Sequence, residues 1–576
     1  MKKYSKNFVK LFISSIFVFV ANMGYSETPI ISGYDLAQPV MAKNGMVATR
    51  EKRATDIGVE ILKQGGNAVD AAVAVGFALA VSYPRAGNLG GGGFMMIHMK
   101  NIHQTFAIDY REMAPAKAHK DMMLDMWGNV DREKAMFSGL SSGVPGSVRG
   151  MELALNKFGT MSLKEVIAPA ITLAEKGFAV SYDLTRALEY KKSRFYKWPA
   201  TMEIFFDKNN QAIQPGEILI QKDLANTLKL ISEKGSDGFY RGEVAEKIAK
   251  AVQDAGGVMT VNDLGNYRAK LRKPTSGTYR GYEIHSMPLP SSGGIHLIQL
   301  LNILENTDIG KLGHNSSSTI HHMAEAMKYV YADRSKYLGD PDFVKVPTKT
   351  ITSKVYAKDI FKKINPNKAT PSSEIKPGNL IPYESDQTTQ ISIVDKWGNA
   401  VSVTTTLNFS FGSGMVAAGT GLFMNNEMDD FSSKPGVPNA YGLLGGAANA
   451  IEKGKRPLSA MTPTIVLKDG VPFLITGSPG GSRIITTTLQ VIMNVIDHKM
   501  NVAEAVSATR IHHQWFPEEI RIEKSLNKDT IKILESKGHT VKIRNAMGSA
   551  QSIMITPEWI FGISDPRSLD GKAAGY

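Results

Sequence analysis

Residues Ala68 to Val81 read AVDAAVAVGFALAV, a segment that turns apolar groups to every side when wound as a helix. A helix of that kind has no face to offer water and has to lie deep in a core. The chain can supply one. It has 576 residues, 43% hydrophobic and 21% charged, the balance of a globular protein rather than a disordered or fibrous one.

The flanks of this segment set its limits. Asn67 is a good N-cap before it and Pro84 stops it. Upstream, Arg53 to Gln64 repeats apolar residues with helical spacing (Ile57, Ile61, Leu62) and closes on Gly65-Gly66. Downstream come two strand-like runs, Phe94 to Met99 and Thr105 to Arg111. Helical patterns dominate from about 146 to 260, with amphipathic stretches at 163–176 and 244–255, and again over 295–338. Residues 362–387 are rich in Pro, Ser and Asn and lack periodicity, which predicts an exposed linker. The remainder, 388–576, is rich in strands and turns, with a helix near 483–498. Strands grouped apart from helices favour stacked α and β layers, an α+β fold, over a doubly wound parallel sheet.

Composition narrows the function. There is no cysteine, which excludes disulfides, thiol catalysis and Cys-based metal sites. The N-terminus has the pattern of a signal peptide over 1–26: Lys2, Lys3, Lys6 and Lys10, an apolar run from Leu11 to Ala21, then small Gly24 and Ser26 before a cleavage point. The apolar run is short for a membrane span. Export without disulfides suits a bacterial periplasm. The net charge of +13 includes those four lysines, leaving +9 on the rest. The lysines are scattered without interleaved aromatics, so a basic surface is expected rather than a nucleic-acid site.

Several motifs invite chemistry and do not carry it. Gly90 to Gly93 lacks phosphate-loop spacing and suits a turn packed near a site. His321-His322 with Glu325, and His512-His513, lack HExxH spacing and a third ligand, and are expected to be hydrogen-bonded structural residues. Asp340-Pro341-Asp342 is too short for a calcium loop.

The informative segment starts at Thr388. TTQISIVD-KWG-NAVSVTTTLN has the form of a hairpin, with Gly398 in the left-handed position of the loop Lys396-Trp397-Gly398. Closing it pairs Asp395 with Asn399. That register sets Ile391 against Val403 and Ile393 against Val401 on an apolar face, and Gln390 and Ser392 against Thr404 and Ser402 on a polar one. It also puts Thr406 across from Thr388. Two facing hydroxyls at a strand start can be cross-strand packing or a nucleophile with its support, and spacing alone leaves both open.

The rest of the chain then resembles the γ-glutamyltranspeptidases across nearly the whole mature length. The resemblance is carried by Gly45 to Thr49, Asn67 to Ala72, Asn88 to Phe94, Asp109 to Pro115, Pro290 to Ile295, Gln387 to Thr389, Asn425 to Phe431, Lys455 to Ser459 and Thr476 to Arg483. It implies an N-terminal-nucleophile hydrolase, a four-layer αββα sandwich forming one composite domain. It also implies a precursor that cuts itself between Gln387 and Thr388 into a large subunit, 27–387, and a small one, 388–576, which stay together as a heterodimer. The activity implied is γ-glutamyl transfer and glutathione hydrolysis, with amino-acid or dipeptide acceptors and no metal or organic cofactor.

Residue by residue, the resemblance makes Thr388 the nucleophile and Thr406 its hydrogen-bonding support. Gly480 and Gly481 match the oxyanion-hole pair. Arg111 and Ser459 match the binders of the substrate α-carboxylate, and Asp430 the binder of its α-ammonium, with Asn408 and Glu427 assisting. Pro435 to Gly446, with Tyr441, is similar to a lid found in some members. Two positions depart from the pattern: Ala460, where many relatives carry a second serine, and Gln390, where many bacterial relatives carry histidine. The alternatives are an acylase acting on cephalosporin side chains or poly-γ-glutamate, and a periplasmic binding protein, which would need neither the threonine pair nor the cut.

Overall fold

The computed structural model describes residues 35–375, 388–437, 439–440 and 442–576. The segment 1–26, Gln387 and Tyr441 lie outside these residues.

Two large sheets form from fourteen strands: β1 (Val40–Ala42), β2 (Met46–Thr49), β3 (Gly92–Met99), β4 (Gln104–Asp109), β5 (Lys270–Arg272), β6 (Thr275–Tyr279), β7 (Tyr282–Ser286), β8 (Thr389–Val394), β9 (Ala400–Thr406), β10 (Thr464–Lys468), β11 (Val471–Thr476), β12 (Gln551–Ile555), β13 (Ile560–Ser564) and β14 (Lys572–Gly575). One sheet has the order β14-β2-β8-β9-β3-β4-β5 and the other β1-β13-β12-β11-β10-β7-β6. Their described pairings are antiparallel.

The helices that cover them include α1 (Lys52–Lys63), α2 (Ala68–Ser82), α3 (Leu163–Lys176), α4 (Tyr182–Phe195), α5 (Gly293–Leu304), α6 (Ser317–Tyr337) and α7 (Arg483–Ile496). The layering follows from which apolar residues share a core. Ile391, Ile393, Val401 and Val403 pack with α1, α2 and α3 on the outer side of the first sheet. Met46, Phe94 and Met96 meet Ile465, Ile475 and Ile553 between the sheets. Ile284, Val466 and Leu474 pack with α5, α6 and α7 on the far side. The result is the expected αββα sandwich, and α2 is buried along nearly its whole length.

The central hairpin has the register expected from its sequence, Gln390 against Thr404 through Val394 against Ala400. Gly398 takes φ 82°, which a side chain would resist. Asp395 fixes the loop by accepting from Trp397 and Asn399 backbone N–H groups, both at 2.9 Å. Its other oxygen accepts from Ala68 N at 2.9 Å, so the hairpin loop also caps α2. Asn67 caps that helix as expected, in a reciprocal box with Asp70. Each fully buried isoleucine on the apolar face contributes roughly 1.5–3 kcal/mol.

The polar face of the hairpin is buried against the second sheet. Gln390 Nε2 donates to Ser402 Oγ at 2.9 Å, and Thr404 Oγ1 to Gln390 Oε1 at 2.7 Å. Ser392 and Ser402 donate across the gap to the carbonyls of Gln551 and Thr476. A layer of satisfied hydroxyls and amides, at little net cost, thus joins the two sheets.

One expectation holds in part. Of the stretch 362–387, read as an exposed linker, most of the described part, 362–375, is exposed, but it is pinned at intervals. Ile364, Ala369, Ser372 and Ile375 are buried, and Trp515 Nε1 donates to the carbonyls of Ser372 and Ile375. Its anchors lie some 140 residues away, where local composition carries no signal. Among the described residues no helix is long and apolar enough to cross a membrane.

Candidate active site

Thr388 precedes β8 and Thr406 ends β9, so the hairpin register alone brings them together. Their Oγ1 atoms lie 3.5 Å apart and both residues are buried. Thr406 Oγ1 accepts from Asn408 N at 2.8 Å, and Asn88 Nδ2 donates to Thr406 O at 2.8 Å. The glycine run packs here, as expected. A Cβ on Gly91 would sit 2.2 Å from Thr406 O, so only glycine lets this backbone pass. Arg50 Nη1 donates to the carbonyl of Thr388 at 3.1 Å.

Thr388 and Thr406 line a pocket with Arg111, Asn408, Glu427, Asp430, Ser459, Ala460 and Gly481. Chain positions from 111 to 481 thus converge on one spot. Gly481 (φ 56°) and Gly480 (φ 133°) form the turn from β11 into α7, in backbone conformations suited to glycine. Gly480 lines a larger neighbouring cleft instead of this pocket.

The charged part of the pocket sets the acids Glu427 and Asp430 around Arg111, with Arg334 also in its lining. Arg111 lies just beyond β4, fully buried. Its Nε donates to Pro457 O at 3.2 Å and Tyr267 Oη donates to its carbonyl. One guanidinium nitrogen binds Glu427, and the other binds Asp430 Oδ2 at 2.5 Å. Glu112 Oε2 stands 3.7 Å away. Burial pushes the carboxyls of Glu112, Glu427 and Asp430 upward, against the pull of Arg111. Three buried acids, Glu112, Glu427 and Asp430, are gathered around the Arg111 guanidinium, and Arg334 adds a second cation near Asp430. The remaining space is about 20 Å³, room for about one water.

Ser459 is buried with its Oγ accepting from Met461 N at 3.1 Å. Ala460 lines the pocket without a donor, whereas Gln390 is committed to the layer between the sheets. Sequence reasoning missed Arg334 on α6, which lines the pocket and donates from Nε to Ser292 Oγ at 3.0 Å. Burial lowers its pKa to about 10. Nothing local marks it, since its partners come from other layers.

The histidines are hydrogen-bonded, as expected. His321 Nδ1 meets His539 Nε2 at 2.8 Å, and His512 Nδ1 meets Thr486 Oγ1 at 2.9 Å. With Glu325, His321 and His539 bring three ligand-type atoms within 4.8 Å, a set that sequence spacing could not reveal. Lys328 Nζ already occupies Glu325 at 2.9 Å.

Four layers with a threonine heading a central strand, beside a glycine turn into a helix, define the N-terminal-nucleophile hydrolase class. Comparisons with known proteins resolve it further. The γ-glutamyltranspeptidase family matches residues 54–576. A glutathione hydrolase proenzyme from Escherichia coli is 57% identical over 94% of this chain and 93% of its own length. Among solved structures, the Helicobacter pylori γ-glutamyltranspeptidase is 48% identical over 60% of this chain and 97% of its own, with a TM-score of 0.56. A cephalosporin acylase from Bacillus halodurans covers 95% of this chain and 99% of its own at 28% identity, with a TM-score of 0.82. This chain belongs to the γ-glutamyltranspeptidase family.

Proposed function

We propose that this γ-glutamyltranspeptidase makes its own nucleophile by hydrolysing the Gln387–Thr388 bond, then carries γ-glutamyl groups on Thr388. The chain is a γ-glutamyltransferase and glutathione hydrolase. The observation that carries the residue assignment is the approach of Thr388 and Thr406 in one pocket with the Arg111–Asp430 pair.

Threonine hydroxyl is a weak nucleophile until a base removes its proton. In the uncut chain the nitrogen of Thr388 is an amide and cannot serve. Adding water across the Gln387–Thr388 bond leaves a carboxylate on Gln387 and a free amine on Thr388, whose reference pKa of about 7.7–8 leaves much of it neutral. The amine takes the hydroxyl proton as Oγ1 attacks the γ-carbonyl, and returns it to the departing amine. The resulting γ-glutamyl ester is resolved by water, or by an amino acid or dipeptide.

The Gly480 and Gly481 N–H groups, at the positive end of α7, suit the developing oxyanion. Arg111 and Ser459 take the α-carboxylate. Asp430 takes the α-ammonium with Glu427 and Asn408, and Tyr441 is assigned to substrate binding with them. Ala460 supplies no second hydroxyl. The acylase alternative gives Asp430 and Glu427 no α-ammonium to hold.

We further assign residues 1–26 to export into the periplasm, 27–387 to the large subunit and 388–576 to the small one. Scaling 62.8 kDa by length gives fragments of roughly 39 and 21 kDa after signal removal. N-terminal sequencing of the smaller one should read Thr-Thr-Gln-Ile. A purified, active, uncut chain would overturn the assignment.

A further inference from the structure

Two cations line the Thr388 pocket, Arg111 and Arg334, and they differ in how far their donors are committed. Arg111 gives Nε to the carbonyl of Pro457 and its two terminal nitrogens to Glu427 and Asp430. Arg334 is also buried, at 5% exposure, and its Nε donates to Ser292 Oγ at 3.0 Å. Its two terminal nitrogens have no hydrogen-bond or ion-pair partner among the described residues. Asp430, the acid that acts on it most, is already held by Arg111 through Oδ2 and by Asn439 through Oδ1. A buried guanidinium with an open edge is unfavourable until an anion meets it.

The fold fixes where that edge lies. Arg334 stands in the last turn of α6, one turn after Tyr331, whose Oη donates to the carbonyl of Ser482 beside Gly481. Helix α6 thus reaches the glycine turn through Tyr331 and the opposite wall of the pocket through Arg334. Ser292 makes the second link. Its Oγ donates to Ser459 O at 2.7 Å, and its N–H donates to the same carbonyl at 2.9 Å. The guanidinium is therefore tied, through one serine, to the segment that carries Ser459 and Ala460. Ala460 lines the pocket there with a methyl group and no hydroxyl.

We propose that Arg334 is a second binding residue for the donor's α-carboxylate, its open edge taking the oxygen that a hydroxyl in place of Ala460 would hold. The inference rests on the γ-glutamyl reading above. An anion entering the pocket meets one arginine whose donors are all engaged and one whose terminal donors are not. The edge of a guanidinium also matches a planar carboxylate. Asp430 and Glu427 remain for the ammonium, so the two charges of the head group have separate partners.

The test uses the mature enzyme and two donors. One is γ-glutamyl-4-nitroanilide. The other, 4-aminobutyryl-4-nitroanilide, keeps the amine and the acyl chain and lacks the carboxylate. Arg334→Gln should lower kcat/KM for the first by about tenfold or more, through KM, as for loss of a hydrogen bond to a charged group. For the second the change should stay within about threefold, since there is no carboxylate to release. Arg334→Lys keeps the charge without the fork and should show the same preference more weakly. Ala460→Ser closes a double-mutant cycle on the first donor. The added hydroxyl should recover more activity in the Arg334→Gln enzyme than it adds in the parent. Equal losses on both donors in both arginine variants would make Arg334 a strut for the Ser459 segment and overturn the inference. An Ala460→Ser effect of the same size with and without Arg334 would overturn it too. A parent enzyme that turns over no γ-glutamyl donor overturns the function itself.

Discussion

Replacing Asp430 by asparagine separates the two charges of the substrate head group. In the free enzyme Asp430 sits 2.5 Å from Arg111, with both side chains nearly out of water. Removing one partner of a buried, hydrogen-bonded charge pair costs about 2–5 kcal/mol. Glu427 remains on the other guanidinium nitrogen, so Arg111 stays compensated and the variant should fold. Asparagine also keeps an acceptor for Asn439 Nδ2, now 3.1 Å from Asp430 Oδ1. The loss then falls on the donor's ammonium, which is left with Glu427 alone. We expect the low end of the range, about 2 kcal/mol or roughly 30-fold in kcat/KM for γ-glutamyl-4-nitroanilide. Glutaryl-4-nitroanilide has the same carboxylate and acyl group without the amine. Its kcat/KM should change by less than about threefold, because no ammonium is lost and Arg111 is freer to turn toward the carboxylate. Steady-state rates of both donors on parent and variant form a double-mutant cycle. Equal losses on both donors would show that Asp430 does not meet the ammonium.

Thr406→Ala should slow turnover by about 10²-fold or more, as for loss of a positioned catalytic donor, and Thr406→Ser should recover much of it. Equal damage from both changes would mean that the 3.5 Å approach to Thr388 is packing. A third test uses Asp429, which burial and then the neighbouring Asp430 push up to about 7 from an ordinary value of 3.8. The folded state therefore holds its proton over a pH range in which the unfolded state has released it. Its contribution is full below the lower value and is lost as pH rises through the upper one. Asp429→Asn, which keeps an acceptor for Ala440 N, should gain on the parent by about 2–4 kcal/mol between pH 4 and pH 8. A thermal-melting difference that does not vary with pH would refute this.

What could be read from the sequence was what neighbouring residues decide. The hairpin register followed from Gly398 and the alternation around it, and the start of α2 from Asn67. Two features needed tertiary information. The polar face of the hairpin gives no sign that it is buried, because its partners, Gln551 and Thr476, come from another sheet. The order of that sheet, which joins β1 to β13 across most of the chain, has no local marker either. In the site, the resemblance supplied Arg111 and Asp430 but not their mutual pairing, and neither route supplied Arg334. The linker reading missed its anchor points for the same reason: Ser372 and Ile375 are held by Trp515.

The strand order β14-β2-β8-β9-β3-β4-β5 has a consequence for the life of the molecule after the proposed cut. Strands from before and after Thr388 alternate: β2 lies between β14 and β8, and β9 pairs with β3. Neither fragment alone owns a complete sheet. On the proposed self-cleavage, the bond can open only after both halves are interleaved, so the appearance of two bands would report completed folding. Once cut, the halves can separate only by breaking internal strand ladders and baring the cores on both sides of the sheet. Mixed solutions of two differently labelled mature enzymes should therefore show no subunit exchange short of denaturation.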